Sequence, residues 1–373
     1  MMWSASKTAT EGLGLNMPSN NSYLVVIAGG SGTRFWPKST SKRPKQLLAF
    51  GTSTLLAQTV SRFETFVPPN QRMIVTTQAL KEAIEAEKLE VRVLGEPQGR
   101  NTAPCIYWAA KIIEKENPKA IMLVMPADHY MASPEKFTAT VKQATLWAQE
   151  SGDLVTLGIK PIRPETGYGY LKTDTFASDT MSSSNRESVA PKKVEAFVEK
   201  PNQDRAREFV ASGNYLWNGG MFIWRVDAIL KAFDLYMPEM KTAWETSQGK
   251  IEDAYPKMTA TSIDYGIMEK AQNVVTFTLD CGWDDLGSWT SLENIAGLLQ
   301  AKKGENVVTA GEVLAIESSR NIVDTPGRLT SLLGVNDLIV VEHGNAILIA
   351  HKDRAQDIRI VVDEVRKLRP ELV

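Results

Sequence analysis

The chain has 373 residues, of which 43% are apolar and 23% are charged, the composition of an ordinary globular protein with room for one large domain and a smaller one. The formal net charge is −2, which argues against a nucleic acid or a membrane surface as the partner of the whole chain. The two cysteines, Cys105 and Cys281, belong to no CxxC pair and have no histidine close by in the sequence, so neither a disulfide framework nor a zinc site is expected.

The first 21 residues are polar and rich in Gly, Ser and Asn, and they lack the apolar core of a signal peptide. They are predicted to form a disordered tail. No apolar run in the chain approaches the ~20 residues that span a bilayer. Together with the spacing of the cysteines, this composition predicts a protein of the reducing cytoplasm.

An apolar run over residues 24–28 predicts a buried strand that ends abruptly in a glycine-rich turn. The turn reads Gly29-Gly30-Ser31-Gly32-Thr33-Arg34, and the basic residues that follow it are Lys38, Lys42, Arg43 and Lys45. Glycines let backbone N–H groups surround an anion, and nearby cations neutralise it. The turn lacks the G-K-[ST] of a Walker A motif, and Phe35 replaces the third glycine of the dinucleotide fingerprint. It predicts a polyphosphate site, with a plain strand-to-helix turn as the alternative.

Strands alternate with helices from residue 24 to residue 160, which predicts a mostly parallel α/β sheet. The strands are predicted at 24–28, 73–76, 91–94, 120–125 and 154–159, and the helices at 79–88, 103–116 and 133–150, the last with Ser133 as its cap. Three polar turns follow strands of this series, namely the glycine-rich turn, residues 96–102 and Asp128. Because ligands of such sheets gather at the carboxyl ends of the strands, these turns are expected at one edge.

Beyond residue 160 the pattern changes. Polar or aromatic turns and strands are predicted around 167–170, 199–201 and 217–224, a helix at 264–270, and a turn with Asp284 and Asp285 after a strand at 274–279. From residue 306, short apolar runs between Gly, Asn and Asp predict a small β-rich unit with a few solenoid-like coils, closed by an amphipathic helix at 353–368. The predicted domains are 22–300 and 301–373.

Several polar residues of these turns have two interpretations from the sequence alone. Asp128 and Asp285 are either turn-forming residues or, if they meet near a phosphate, the two carboxylates that a Mg²⁺ ion prefers. Lys200 is either a solvated lysine or a cation whose direction is fixed where Pro201 ends the strand. Asn218 is either a turn residue or a hydrogen-bond partner of sugar hydroxyls. The three histidines show no ligand spacing and are predicted to be structural.

Seven segments resemble, in order, the sugar-nucleotide pyrophosphorylases, and the first resembles the mannose-1-phosphate guanylyltransferase branch of that family. They are GGSGTRFWPKSTSKRPKQ, EPQGRNTAPC, MPADH, RPETGYGYL, FVEKP, WNGGMFIW and WDDLGSW. The resemblance extends from residue 24 to residue 297. It implies a Rossmann-like nucleotidyltransferase domain with a mixed, mostly parallel sheet, followed by a β-rich domain similar to a short left-handed β-helix.

The resemblance also implies a role for individual residues. The nucleotide is expected at Gly29, Gly30, Gly32, Thr33, Arg34, Glu96, Arg100, Asn101 and Thr102. The hexose 1-phosphate is expected at Gly169, Glu199, Lys200 and Asn218. The expected catalytic cations are Arg34, Lys45 and Lys200, and the expected Mg²⁺ ligands are Asp128 and Asp285.

The implied reaction transfers GMP from GTP to α-D-mannose 1-phosphate, giving GDP-mannose and pyrophosphate, with catalysis by positioning and charge neutralisation. One alternative is another hexose or heptose 1-phosphate, or another nucleotide. A second is a non-catalytic nucleotide-sugar sensor, against which the presence of Asp128, Asp285 and Lys200 argues. Longer members of the family carry a phosphomannose isomerase domain, whose activity is not expected of this sequence, and a homodimer is expected.

Overall fold

The computed structural model describes residues 21–30, 32–173, 190–295 and 304–373. The predicted disordered tail, apart from Asn21, and the predicted domain boundary at residues 300 and 301 lie outside these residues, as does Ser31 of the glycine-rich turn. The described part of the chain forms a large α/β domain and a smaller β-rich unit at its C-terminal end. Within it, no helix has both the length and the apolar character needed to cross a membrane.

The large domain is built on a nine-stranded mixed sheet. Its strands, with two short ones outside the sheet, are β1 (Ser22–Ile27), β2 (Arg72–Thr77), β3 (Arg92–Glu96), β4 (Ile121–Pro126), β5 (Tyr130–Met131), β6 (Leu154–Ile159), β7 (Gly169–Thr173), β8 (Lys192–Glu199), β9 (Tyr215–Arg225), β10 (Val274–Leu279) and β11 (Trp283–Asp284). The order in the sheet is β3-β2-β1-β4-β9-β6-β10-β8-β7. Strands β3, β2, β1 and β4 are parallel, β9 is antiparallel to both β4 and β6, and β5 pairs with β11 alone.

Helices cover both faces of this sheet. The described helices are α1 (Leu55–Ser61), α2 (Gln78–Glu85), α3 (Thr102–Glu116), α4 (Pro134–Ser151), α5 (Gln203–Ser212), α6 (Val226–Tyr236), α7 (Pro238–Thr246), α8 (Ile251–Ala254) and, in the C-terminal unit, α9 (Ile358–Leu368). Successive side chains of β1 point to opposite faces. Tyr23 and Val25 therefore join a core with α3 and α6, while Leu24 and Val26 join a core with α1, α2 and α4. An apolar run buried on both faces is typical of parallel strands.

The register of the parallel strands fixes where the polar turns emerge. Ile27 at the end of β1 lies opposite Val75 of β2 and Pro126 of β4, and Thr77 lies opposite Glu96 at the end of β3. The glycine-rich turn, the turn after Glu96 and the turn after β4 therefore leave the sheet at the same edge, as predicted.

The C-terminal unit (residues 304–373) carries its own four-stranded sheet. Its strands are β12 (Val307–Ile316), β13 (Ile322–Leu333), β14 (Leu338–His343) and β15 (Ala346–His351). The first three pair in parallel and β15 returns antiparallel. The two predicted runs at 307–309 and 313–316 are one strand, β12, whose register with β13 shifts on both sides of Ala310. Such irregularities bend a strand, and the pattern of separate short runs reflects that bend.

A third hydrophobic core joins the C-terminal unit to the large domain. It contains Phe35 and Trp36, which directly follow the glycine-rich turn, together with Trp289 of the large domain and Ile322 and Ile358 of the C-terminal unit. The indole N–H of Trp289 donates to the carbonyl oxygen of Trp36 at 3.2 Å. The segment after the glycine-rich turn is therefore part of the interface between the two units.

The structure refines three local predictions. Ser133 occupies the N-cap position of α4, as predicted, but its side chain makes no capping hydrogen bond, and its backbone angles, φ −124° and ψ 85°, differ from those of a typical cap. The helix predicted at 264–270 is a π-helical turn (Asp264–Met268), in which the N–H of Glu269 reaches the carbonyl oxygen of Asp264. The predicted closing helix consists of a 3-10 helix (Lys352–Asp357) followed by α9.

Candidate active site

The glycine-rich turn holds its shape through Gly32, which has a left-handed φ of 60° and begins a 3-10 helix (Thr33–Phe35). A Cβ at this position would lie 2.3 Å from Cβ of Lys45, so only glycine lets the two segments approach this closely. The Ser39 hydroxyl donates to the carbonyl oxygen of Gly32 at 2.6 Å. The turn is therefore closed on itself and packed directly against the lysine that the sequence singles out.

Lys45 is the centre of the charged group at this edge of the sheet, and only 7% of its surface is exposed. Its Nζ lies 2.8 Å from Oδ2 of Asp128 and donates to the backbone carbonyl oxygen of Asp285 at 2.5 Å. The structure thus brings together the two aspartates that the sequence alone could not show to meet. Burial by itself favours the neutral acid, but the nearby positive charges, chiefly that of Lys45, and the hydrogen bonds to the carboxylate together outweigh it and lower the pKa of Asp128.

The two adjacent aspartates at 284 and 285 have different environments. Asp284 is buried, and its carboxylate accepts hydrogen bonds from the N–H of Leu286 and the amide of Asn294, both at 2.7 Å. Asp285 accepts from the Tyr168 hydroxyl at 2.6 Å, and burial together with this carboxylate raises the pKa of Tyr168. Asp284 therefore shapes the turn, while Asp285 faces the site.

A first cavity of about 300 Å³ opens at the ends of β1, β3 and β4. Among the residues that line it are Gly29, Gly30, Gln46, Glu96, Arg100, Asn101, Thr102 and Asp128. Glu96 is 4% exposed, and its carboxylate accepts a hydrogen bond from the hydroxyl of Tyr255. Burial raises the pKa of Glu96. A carboxyl group in such a place offers a hydrogen-bonding group to a ligand of the cavity.

The turn after Glu96 leads into the N-terminus of α3. Asn101 has a left-handed φ of 66°, and its side-chain oxygen accepts from the N–H of Thr102 at 2.9 Å. Nη1 of Arg100 donates to the carbonyl oxygen of Met258 at 2.7 Å, which holds this side chain along the cavity wall. The Thr102 hydroxyl accepts from the N–H of Ile263 at 2.8 Å and so ties this turn to the chain segment that enters the π-helical turn.

A second cavity of about 260 Å³ lies beside the first. The predicted sugar-binding residues Gly169, Glu199 and Asn218 line it, together with Tyr168, Asp264 and Asp285. Gly169 lies opposite Glu199 in the β7–β8 pair, and a Cβ on Gly169 would lie 2.5 Å from the Glu199 carboxylate. The absence of a side chain there leaves the space in which that carboxylate reaches the cavity.

Asp264 is a residue of the second cavity that the sequence analysis missed. Its Oδ1 accepts from the Asn218 amide at 3.0 Å, and the Asn218 oxygen in turn accepts from the hydroxyl of Thr156 at 3.0 Å. Burial, reinforced by the nearby charge of Glu199, raises the pKa of Asp264 to about 6. The sequence places Asp264 in a predicted helix, and no local signal distinguishes this aspartate from a surface residue.

His129, which the sequence analysis treats as structural, also lines the second cavity. Its Nδ1 accepts a hydrogen bond from the indole N–H of Trp283 at 3.1 Å, and burial lowers the pKa of the imidazole to about 4. The ring is therefore neutral at pH 7, and it contributes shape and one hydrogen-bonded contact to the cavity wall rather than a charge.

None of the three predicted catalytic cations is among the residues that line the two cavities. Lys200 has a left-handed φ of 47°, and its side chain is 60% exposed, with Nζ 2.6 Å from Oε1 of Glu199 at the rim of the second cavity. Arg34 is exposed and donates to Oε1 of Gln356 in the C-terminal unit at 3.0 Å. Thr33, the neighbour of Arg34, lies in the 3-10 helix that faces the same interface. Of the three predicted catalytic cations, the structure thus brings Lys45 to the aspartates and directs Arg34 elsewhere.

The donor set fits a Mg²⁺ ion. The carboxylate of Asp128 and the backbone carbonyl oxygen of Asp285 both contact Nζ of Lys45, and the two residues belong to turns that face the cavities. Among the residues that the structure describes, no group of three or more His, Cys, Asp and Glu side chains could hold a metal. Mg²⁺ commonly binds to one or two carboxylates and takes its other ligands from water and substrate phosphates. The two aspartates would supply the protein's share of such a coordination shell.

The two cavities share Ile27 and Thr102 in their walls, and Asp128 lines the first while Asp285 lines the second. A glycine-rich turn, a buried lysine and two carboxylates therefore lie where two anionic ligands would meet. On a mixed sheet whose parallel strands β1, β3 and β4 end at this edge, this arrangement defines a nucleotidyl transferase.

Comparisons with known proteins define the family more closely. Residues 23–302 match the Nucleotidyl transferase family, and residues 311–365 match the MannoseP isomerase/GMP-like beta-helix domain. The mannose-1-phosphate guanylyltransferase of Escherichia coli is 35% identical over 370 residues, which cover 94% of this chain and 74% of that protein. The alginate biosynthesis protein AlgA of Pseudomonas aeruginosa is 38% identical over 362 residues, which cover 91% of this chain and 71% of that protein.

A solved structure agrees with these relatives. The Thermus thermophilus protein, described as a mannose-1-phosphate geranyltransferase, is 32% identical and superimposes with a TM-score of 0.83, over 93% of this chain and 99% of that one. The chain belongs to the mannose-1-phosphate guanylyltransferase family of nucleotidyl transferases. The resemblance and the fold class expected from the sequence are confirmed.

Proposed function

We propose that the protein transfers GMP from GTP to α-D-mannose 1-phosphate, producing GDP-mannose and pyrophosphate. The single observation that carries the proposal is the junction of the two cavities. Ile27 and Thr102 belong to both walls, and Lys45 contacts Asp128 of the first and Asp285 of the second. A nucleotide in the first cavity and a sugar phosphate in the second would have their phosphates side by side at Lys45.

The chemistry is a direct displacement at phosphorus. A phosphate oxygen of the sugar 1-phosphate attacks the α-phosphorus of GTP, a new P–O bond forms, and the bond to the bridging oxygen of pyrophosphate breaks with its electron pair. Lys45 lies nearly buried at the junction, where a fixed cation stabilises developing negative charge more strongly than it would in water. The walls of the two cavities hold the reactants in line, which is the larger part of catalysis in phosphoryl transfer.

The sugar phosphate is proposed to enter the second cavity with its phosphate toward Lys200. Glu199, Asn218 and Asp264 supply hydrogen-bond acceptors and donors for hexose hydroxyls, and Gly169 leaves room for the ring. The hydrogen bond to Glu199 contributes to the raised pKa of Lys200, although burial opposes it, so the side chain stays protonated. A protonated lysine at the rim offsets the repulsion between the two anionic substrates.

Asp128 and Asp285 are proposed to hold Mg²⁺. When bound, the ion would neutralise phosphate charge as a Lewis acid. Lys45 would then hold Asp128 through its carboxylate and Asp285 through its backbone carbonyl oxygen. The spacing of the two cysteines and the nucleoside triphosphate substrate make the cytoplasm the proposed location.

Pyrophosphate release from GTP, mannose 1-phosphate and Mg²⁺ is the direct test, with a parallel reaction in EDTA. Release only in the complete mixture is expected, and no release would refute the proposal. Specificity is measured by assaying a panel of hexose and heptose 1-phosphates with each of four nucleoside triphosphates. A clear preference for a combination other than mannose 1-phosphate and GTP would reassign the substrates.

Lys200→Ala tests the assignment of the second cavity within the same assay. The KM for the sugar phosphate should rise far more than the KM for GTP, because Lys200 is proposed to contact one substrate only. Lys241→Ala, which removes an exposed lysine from the surface of α7, is the matched control and should change neither constant. Equal effects of Lys200→Ala on both KM values would contradict the assignment.

A further inference from the structure

The segment that follows the glycine-rich turn is held by the extreme C-terminus of the chain. The indole N–H of Trp36 donates to the carbonyl oxygen of Leu372 at 2.9 Å, and the hydroxyl of Ser41 donates to the carbonyl oxygen of Val373 at 2.8 Å. Together with the contact from Arg34 to Gln356, these bonds attach the turn at three points to the C-terminal unit. None of these contacts involves the cavities themselves.

A partly buried ion pair, in which the aspartate is fully buried and the lysine side chain is 21% exposed, lies in this interface. Nζ of Lys38 is 2.5 Å from Oδ2 of Asp324, and Asp324, on β13, is 0% exposed. The hydroxyl of Thr309 donates to the same oxygen at 2.5 Å. The other carboxylate oxygen of Asp324 is buried and has no hydrogen-bond partner among the described residues. Lys38 therefore supplies the positive charge that balances this buried carboxylate.

The ion pair leads to the active site through consecutive contacts. Lys38 is followed by Ser39, whose hydroxyl bonds to the carbonyl oxygen of Gly32 at 2.6 Å. Gly32 packs against Lys45 so closely that a methyl group does not fit between them. Lys45 in turn contacts the site aspartates. A displacement of Lys38 therefore shifts the turn that the nucleotide phosphates would contact.

A buried ion pair is a costly way to fasten two surfaces, because both charges lose their hydration, and apolar side chains of similar size often stabilise a protein as well or better. The neighbouring core, with Phe35, Trp36 and Ile322, already supplies apolar contact between the units. A hydrogen-bonded ion pair also fixes the orientation of its two side chains, because it is strong in only one arrangement of donor and acceptor.

We propose that Lys38 and Asp324 are positioning residues for the nucleoside triphosphate, and that the C-terminal unit thereby forms part of the nucleotide site. The pair fixes Ser39, Ser39 closes the turn on Gly32, and Gly32 sets the place of Lys45. The inference rests on the proposed function in one respect, that the ligand of the first cavity is a nucleoside triphosphate. It assigns to the C-terminal unit a larger effect on GTP than on the sugar phosphate, because the glycine-rich turn lines the first cavity.

The test compares the wild-type chain with Lys38→Met and Asp324→Asn. For each protein, the affinity for GTP is measured by calorimetry without sugar phosphate, the KM for each substrate and kcat are measured by pyrophosphate release, and Tm is recorded. The Kd and KM for GTP should rise by about tenfold, and kcat/KM should fall by between about tenfold and a hundredfold. The KM for the sugar phosphate should rise much less than the KM for GTP, because the displaced turn lines the first cavity.

Glu342→Gln is the matched control, because Glu342 forms an ion pair with Arg328 within the same β-rich unit and away from the turn. It should leave all of these constants unchanged. Folded variants of Lys38 and Asp324 with the wild-type affinity for GTP would overturn the proposal, as would equal rises in both KM values.

A further variant keeps the proposal falsifiable if the ion-pair variants do not fold. Ser39→Ala leaves the buried pair intact and removes only the bond to Gly32, so the KM for GTP should rise, and an unchanged value would overturn the proposal. The GTP titrations also separate this inference from the reaction assigned above. If the wild-type chain makes no product, the calorimetric GTP affinities of the variants still test whether Lys38 and Asp324 position the nucleotide. If the wild-type chain makes product and the variants bind GTP as tightly as it does, the proposed reaction stands and only the role of Lys38 and Asp324 is refuted.

Discussion

Asp264 illustrates how the surroundings of a single carboxyl group determine its chemistry. It is held between the Asn218 amide and the charge of Glu199, and burial is the largest cause of its raised pKa. Above pH 6 its carboxylate only accepts hydrogen bonds, and below that value it becomes a donor as well. The side chain therefore carries a stability cost in addition to the role in sugar binding proposed above.

The pKa of Asp264 predicts how stability depends on pH. Because the pKa in the folded chain, about 6, lies above the ordinary value of 3.8, the folded state binds the proton more tightly, and this contribution to stability is lost as pH rises through about 6. Asp264→Asn removes the titration. The unfolding free energy of the variant relative to wild type should therefore grow between pH 4 and pH 6, by at most about 3 kcal/mol, and level off above.

Chemical denaturation of both proteins at several pH values measures this difference. Asp227→Asn is a suitable control, since the hydrogen bond from Arg225 lowers the pKa of Asp227 and its titration falls below this window. The difference between that variant and wild type should stay constant from pH 4 to pH 6. A constant difference for Asp264→Asn as well would show that Asp264 does not titrate there.

Among the structural elements, the turns after the strands carry most of the site, and their place was predictable. Parallel strands end at one edge, so the turns after β1, β3 and β4 had to be neighbours, and the register bears this out. The π-helical turn was not predictable in the same way. Hydrogen bonds from Ala103 to Thr261 and from Ile263 to Thr102 bring it to the N-terminus of α3, and no local pattern encodes contacts over such distances along the chain.

The direction in which side chains on these elements point was likewise not predictable from the sequence. Arg34 follows the glycine-rich turn directly, yet it points to Gln356, because the third core draws Phe35 and Trp36 toward the C-terminal unit. Asp284 and Asp285 are adjacent and chemically identical, and only the bonds from Leu286 and Asn294 assign the first of them to the turn. Motif position predicts which segment faces a ligand, whereas tertiary packing decides which atom does.

The glycine-rich turn itself yields a prediction. Gly32→Ala places a methyl group 2.3 Å from Cβ of Lys45 and keeps a φ of 60° that alanine disfavours. Lys45 must move, and a shift of about 1 Å in a catalytic group commonly costs about a hundredfold in rate. We expect kcat/KM for GTP to fall by about that factor, measured by pyrophosphate release.

Gly213→Ala controls for backbone strain alone. Gly213 has a φ of 72° at the end of α5, and nothing lies within 4 Å of an added Cβ. It should lower the unfolding free energy by about 1 kcal/mol and leave kcat/KM unchanged. Equal activity in the two glycine variants would mean that the contact between Gly32 and Lys45 is not required.

For the molecule as a whole, the distribution of exposed apolar side chains is uneven. Most of the large ones among the described residues belong to the C-terminal unit, including Leu314, Ile316, Leu329, Leu333, Ile347 and Ile349. Monomeric proteins rarely leave large contiguous apolar patches in water. The C-terminal unit packs against the segment after the glycine-rich turn on one side. Its exposed apolar side chains, which we call its outer face, are suited to association with another protein surface.

We propose that this outer face is where two copies of the chain associate as a homodimer. Light scattering of the full chain should give about twice the monomer mass of 41.2 kDa. A double variant, Leu329→Asp with Ile349→Asp, should shift the mass toward that of the monomer, because two buried carboxylates per copy would lose hydration in the contact. Leu235→Asp, at an equally exposed leucine on α6, should leave the mass unchanged. If the double variant keeps the mass of a wild-type dimer, the two copies associate through another surface. If the wild-type chain is itself monomeric in light scattering, the proposed homodimer is refuted.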